Sequence, residues 1–169
     1  SQLIGEYNFN NIAAAITIAN YFKVEDEAIK MGIENYMPTN NRSQVITKGT
    51  NKIILDAYNA NPSSMRAALL NFEKQSGIKI AILGDMFELG KEAKTEHQTI
   101  ADLALSLEID SIIFVGENFY QSKIKSRKAT KYNLFEDLVN ISDISKLQNS
   151  LILIKGSRGM ALERVLELL

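Results

Sequence analysis

Residues 52–69 read KIILDAYNANPSSMRAAL. Ile53, Ile54 and Leu55 are consecutive bulky apolar residues, as at the end of a buried strand. The chain then turns polar, with Asp56, Tyr58, Asn59, Asn61, Ser63 and Ser64 in quick succession. Asn61 suits a helix N-cap and Pro62 the first helical position; Met65, Ala68, Leu69 and Phe72 follow at helical spacing. The stretch therefore reads as strand, loop, helix. An Asx-rich turn can start a helix, but a cap needs fewer polar side chains than this loop carries. The surplus suits a ligand: Asp56 can accept hydrogen bonds from a ribose diol, and Tyr58 can pack on a base.

Outward from this unit, strands and helices keep alternating. SQVITK (43–48) and KIILDA (52–57) flank GTN, a hairpin signal. KIAILGD (79–85), SIIFVGE (111–117), KATKY (128–132) and SLILIKGS (150–157) read as further strands. TEHQTIADLALSLE (95–108), SDISKLQ (142–148) and MALERVLELL (160–169) read as the helices between and after them. Such alternation means βαβ units and a mostly parallel, Rossmann-like α/β sheet. The runs IAIL, SIIFV and LILI are apolar without alternation, which a sheet covered by helices on both faces requires. Before the hairpin lie two helical segments. NFNNIAAAITIANYF (8–22) is apolar all round, as in a well-buried helix, and EDEAIKMGIENY (25–36) is shorter. MPTNN (37–41) is the best domain boundary.

Composition narrows the function. Apolar residues make up 46% of the 169-residue chain and the net charge is −1, so a packed core is expected and a basic nucleic-acid footprint is not. The sequence has no cysteine and one histidine, which excludes disulfides and thiolate or multi-histidine metal sites. No apolar run reaches membrane-spanning length, and the first residues, SQLIGEYNFNN, do not read as a signal peptide. Without an initiator Met, the chain looks like an excised piece of a longer one.

In open α/β sheets ligands sit outside the carboxyl ends of the strands. That directs attention to DAYNANP, GDMFELG, VGENF and KGSRG. KGSRG ends a strand and opens a predicted helix, where backbone N–H groups beside Lys155 and Arg158 suit a carboxylate or phosphate; a tight turn with Ser157 as N-cap is the plainer alternative. Asp85 and Glu88 in GDMFELG read as part of a shaped loop rather than a catalytic pair. His97, in the first turn of a helix, favours its neutral form and reads as structural. KGTNKI (48–53) has no Gly before Lys52 and no Ser or Thr after it, so it is a hairpin turn and not a phosphate loop.

Four stretches, in order, resemble the Mur ligase family. GEYNFNNIAAA (5–15) looks like its G-x-H-N-x-x-N-x-x-A-A helix start, and NNRSQVI (40–46) like its Gly-Arg junction. LDAYNANPSSMRAAL (55–69) with ILGDMFELG (82–90) is similar to the pair found in the branch that adds D-alanyl-D-alanine, and IKGSRGM (154–160) to its Lys-Gly-Ser turn. Tyr7 stands where the family has His, and Asn41 where Gly is common.

The resemblance implies a cytoplasmic, monomeric enzyme that adds D-Ala-D-Ala to a UDP-N-acetylmuramoyl-tripeptide, using ATP and Mg²⁺ and passing through an acyl phosphate. Residues 1–40 would be the last helices of its central ATPase domain and 41–169 its Rossmann-like carboxyl-terminal domain, inactive alone. By position, Asn8 and Asn11 would contact adenine, Arg42 the ATP phosphates and Asp56 the ribose, with Tyr58 and Asn59 shaping the pocket. Lys155, Ser157, Arg158 and, more weakly, Asp85 would line the dipeptide site. No metal ligand is expected on this chain. A sister ligase of the cyanophycin or folylpolyglutamate synthetase kind, and a non-catalytic nucleotide-binding module, are the alternatives.

Overall fold

The protein is described from a computed structural model covering residue 3, residues 8–141 and residues 143–169. Gly5 and Tyr7 of the amino-terminal motif lie outside the described residues.

Six strands form one sheet in the order β1-β2-β6-β3-β4-β5. β1 (Gln44–Lys48) and β2 (Asn51–Asp56) are the expected antiparallel hairpin, closed by Gly49 in the left-handed region at φ 58°. β3 (Ile78–Gly84), β4 (Ser111–Val115), β5 (Ala129–Tyr132) and β6 (Ser150–Lys155) run parallel to β2. The chain passes from β2 to β3, moves outward to β5, and returns to insert β6 between β2 and β3. The carboxyl ends of β2 and β6 thus become neighbours, and their register sets Asp56 beside Lys155.

Both faces of the sheet are covered. Ile54, Ala81, Leu83, Ile112, Phe114 and Leu153 face α3 (Pro62–Glu73), α4 (Ala93–Ser106) and α5 (Glu117–Gln121), packing with Met65, Leu69, Phe72, Ala101 and Phe119. The alternate residues Ile53, Leu55, Ile80, Ile82, Ile152 and Ile154 meet α6 (Phe135–Ile141) and the 3₁₀ segment Leu162–Glu167 through Leu138, Leu162 and Val165. This two-sided burial explains the unbroken apolar runs: every position of β6 is buried. Each such Ile or Leu contributes about 1.5–3 kcal/mol of transfer free energy.

The start of α3 matches its sequence signals. The Asn61 side chain accepts from Ser64 N at 2.8 Å, Ser64 Oγ accepts from Asn61 N at 3.1 Å, and Pro62 fills the first helical position.

Three sequence expectations need correction. First, 160–169 is not an α-helix. Two 3₁₀ segments, Arg158–Met160 and Leu162–Glu167, are separated by Ala161 at φ 47°. Here the Leu162 side chain is fully buried against Gly84 and Gly156, where a Cβ would lie 2.6 and 3.0 Å from its Cδ1. Secondly, the short helix expected at 142–148, of which residue 142 lies outside the described residues, is a 3₁₀ turn at Ile144–Lys146, while α5 and α6 form in stretches for which no element is predicted. Thirdly, α1 (Asn8–Tyr21) is not well buried. Among the described residues it packs against α2 (Asp26–Asn35), and Phe9 is 72% and Tyr21 81% exposed.

Candidate functional site

At the carboxyl ends of β2 and β6 the loop 57–61 and the segment 40–43 enclose a cavity of about 420 Å³. Asn8, Asn11, Arg42, Asp56, Tyr58, Asn59 and Lys155 all line it. All six residues expected around a nucleotide therefore share one pocket, although they come from α1, the inter-segment junction and the end of β2.

A polar network shapes this pocket. Lys155, 2% exposed, donates from Nζ to Asp56 Oδ2 at 2.7 Å and to the Asn59 carbonyl at 3.1 Å. The other Asp56 oxygen accepts from Ser43 N at 3.1 Å. Asn41 O accepts from Tyr58 N at 3.1 Å, so the junction is tied to the loop at two points. Asn8 Oδ1 accepts from Asn11 Nδ2 at 3.1 Å, which joins the two amides expected to read a base. Asn41 and Ser43 adopt positive φ, 57° and 49°. Asn enters this region more readily than most residues other than Gly, so φ 57° suits Asn41.

Residues 41–158 match the family model of the Mur ligase, glutamate ligase domain. The chain belongs to the Mur ligase family. It is 36% identical over 170 residues to the UDP-N-acetylmuramoyl-tripeptide–D-alanyl-D-alanine ligase of Buchnera aphidicola subsp. Baizongia pistaciae, a match covering 98% of this chain and 36% of that protein. MurF from Acinetobacter baumannii superposes with a TM-score of 0.81 at 31% identity, over 96% of this chain and 37% of that one. MurF from Thermotoga maritima, solved in complex with ADP, shares the fold with a TM-score of 0.79 at 24% identity, over 99% of this chain and 39% of that one. This Mur ligase chain is MurF-like, and it spans little more than a third of the length of these relatives.

Within the Mur ligase domain, the four residues expected around a dipeptide already have different bonding partners. Lys155 belongs to the pocket just described and is paired with Asp56, because strand register places the two side by side. Ser157 is buried and works as a clamp between loops. Its Oγ accepts from Phe87 N at 2.8 Å and donates to Ala60 O at 3.5 Å, while its N–H donates to Asp85 O at 3.1 Å. Arg158 is exposed and follows this clamp. The helix start expected to present N–H groups there is the short 3₁₀ turn, so an anion would rely on side chains.

Asp85 is also committed inside the Mur ligase domain. It is 2% exposed, and its carboxylate accepts from Asn118 N at 2.8 Å, Asn118 Nδ2 at 2.9 Å and Phe119 N at 3.0 Å. It thereby anchors the first turn of α5. Gly116 makes this possible: at φ 122° a Cβ would lie 2.4 Å from the Asp85 carboxyl carbon. His97 holds the same loop. Met86 N–H donates to Nε2 at 2.9 Å and the Nδ1 side faces Ala93 O at 2.6 Å, which sets the neutral tautomer protonated on Nδ1. The 3.5 Å approach of Nε2 to Asp85 is then not an ion pair.

Tyr58, expected to help shape the pocket and pack on a base, carries the Arg42 guanidinium 3.9 Å from its ring centroid. Sequence reading missed Ser43, whose backbone orients Asp56. The only signal for it was its place one residue after the Arg42 junction.

Proposed function

We propose that this chain is the carboxyl-terminal part of a cytoplasmic ATP-dependent ligase that joins D-alanyl-D-alanine to a UDP-N-acetylmuramoyl-tripeptide. The observation that carries the reading is the pocket at the ends of β2 and β6, where Asn8, Asn11, Arg42, Asp56, Tyr58 and Asn59 converge. The MurF-like sequence along nearly the whole chain supports the same choice.

In this reading the carboxamides of Asn8 and Asn11 offer donors and acceptors to adenine. Asp56 accepts from the ribose hydroxyls, with Lys155 and Ser43 N holding its carboxylate in place. Arg42 stands at the pocket mouth as a cation for the phosphates. The γ-phosphoryl group moves from ATP to the tripeptide carboxylate, turning a poor leaving group into a good one. The amine of D-Ala-D-Ala attacks the acyl carbon, loses a proton, and inorganic phosphate departs. Fixed cations stabilise the charge that develops on the phosphoryl oxygens.

Among the described residues no three His, Cys, Asp or Glu side chains come together as a metal site. Mg²⁺ in this reading is held by a central domain, of which residues 1–40 would be the last helices; 41–169 would form the complete carboxyl-terminal domain. The family match beginning at residue 41 supports that division. No helix of the described residues is long and apolar enough to cross a membrane.

The test is phosphate release by the full-length gene product with ATP, Mg²⁺ and UDP-muramoyl-tripeptide. Release that requires D-Ala-D-Ala is the expected result. Release that requires a single amino acid instead would move the chain to a sister ligase. ATP binding without release for any acceptor would make it a binding module.

A further inference from the structure

Tyr58 gathers cations from two distant parts of the chain. The Arg42 guanidinium lies 3.9 Å from its ring centroid and the Arg158 guanidinium 5.2 Å from the same centroid. Arg42 comes from the junction before β1 and Arg158 from the turn after β6. Both are exposed, and among the described residues neither has a carboxylate partner. The nearby carboxylate, Asp56, is already neutralised by Lys155 at 2.7 Å. Two like charges held over one ring repel each other unless something else gains from their closeness. The ring quadrupole offsets part of that repulsion, and a multiply charged anion would remove the rest.

We propose that Tyr58 is a positioning residue that assembles Arg42 and Arg158 into one receiving patch for a polyanion at the mouth of the pocket. This deepens the ligase reading and rests on it for its biological meaning. In that reading the patch joins Arg42, the cation expected at the phosphates, to Arg158, the one expected at the dipeptide, so one aromatic ring couples the two binding events. A residue that only filled space would leave anion affinity alone.

The experiment titrates inorganic tripolyphosphate into the 169-residue chain by calorimetry at low and high salt, with circular dichroism melts as a check on folding. The wild type should bind, and more weakly at high salt. Tyr58→Leu should weaken binding about ten-fold and Tyr58→Phe, which keeps the ring, should restore it. A folded Tyr58→Leu protein that binds like the wild type would overturn the proposal, as would a wild type that does not bind. If Tyr58→Leu does not fold, Arg42→Gln and Arg158→Gln decide: each must weaken binding, and either one left at wild-type affinity overturns it. In the full-length enzyme, Tyr58→Leu should raise KM for both ATP and D-Ala-D-Ala, whereas a structural role alone would leave both unchanged. Absence of D-Ala-D-Ala-dependent release in the wild type would remove the ligase reading, while the calorimetry still decides the patch.

Discussion

Asp56 and Lys155 belong together at the scale of single residues. Asp56→Asn would leave a buried ammonium without its counter-charge. Loss of stability by about 3–5 kcal/mol in urea unfolding is the expected outcome. Lys155→Met alone should cost less, because the Asp56 side chain keeps 16% exposure and can be hydrated. The double variant should be more stable than Asp56→Asn, since it removes the uncompensated charge; strict additivity in this cycle would mean the pair is not coupled. In the full-length enzyme both single changes should act on the KM for ATP, not one on ATP and one on the dipeptide. Asn41 makes a second residue-scale case. Asn41→Gly should leave stability within about 0.5 kcal/mol, whereas Asn41→Val, forced to φ 57°, should lower it by about 1–2 kcal/mol in the same assay.

Between elements, the loops after β2, β3 and β6 are held to one another by few bonds, each aimed at a backbone group. Ser157→Ala removes the acceptor of the Phe87 N–H. The expected cost is about 1–3 kcal/mol, with faster amide hydrogen exchange confined to residues 86–89. Gly116→Ala should be more damaging, since the new methyl would meet the carboxylate that anchors α5 in a backbone region closed to Ala. A melting temperature for Gly116→Ala equal to that of the wild type would show that the Asp85 contact is not rigid. The same loops show why the last segment misled a reading by periodicity. Val165 and Leu162 recur as on a helix, yet both are buried from a 3₁₀ segment, in which Leu162 packs on Gly84 and Gly156.

Over the whole molecule, both core clusters are built from the sheet and its two helical layers, while α1 and α2 meet them around the pocket and leave large apolar side chains exposed. A chain reduced to residues 41–169 should therefore unfold at nearly the same urea midpoint as the complete one. A drop of more than about 1 kcal/mol would show that the first two helices support the sheet. The same truncation removes Asn8 and Asn11 from the pocket and should weaken nucleotide binding without unfolding the rest.

The sequence by itself determined the α/β class, the hairpin, the central strands and the start of α3. Each of those rests on local chemistry: unbroken apolar runs, a Gly-containing turn, an Asn-Pro cap. It also marked the β2 loop as a place for a ligand, because the loop carried more polar groups than a turn uses. Tertiary structure alone decided what those groups do. Asp56 and Lys155 lie 99 residues apart in the chain and meet only because β6 inserts beside β2 in one register. Asp85 looked like a candidate ligand group and became a helix anchor once α5 was folded against it. Arg158 and Arg42, at the two ends of the domain, share a ring. Strand order and register are set by long-range packing, which no local pattern encodes, so a residue's type was readable early and its partner was not.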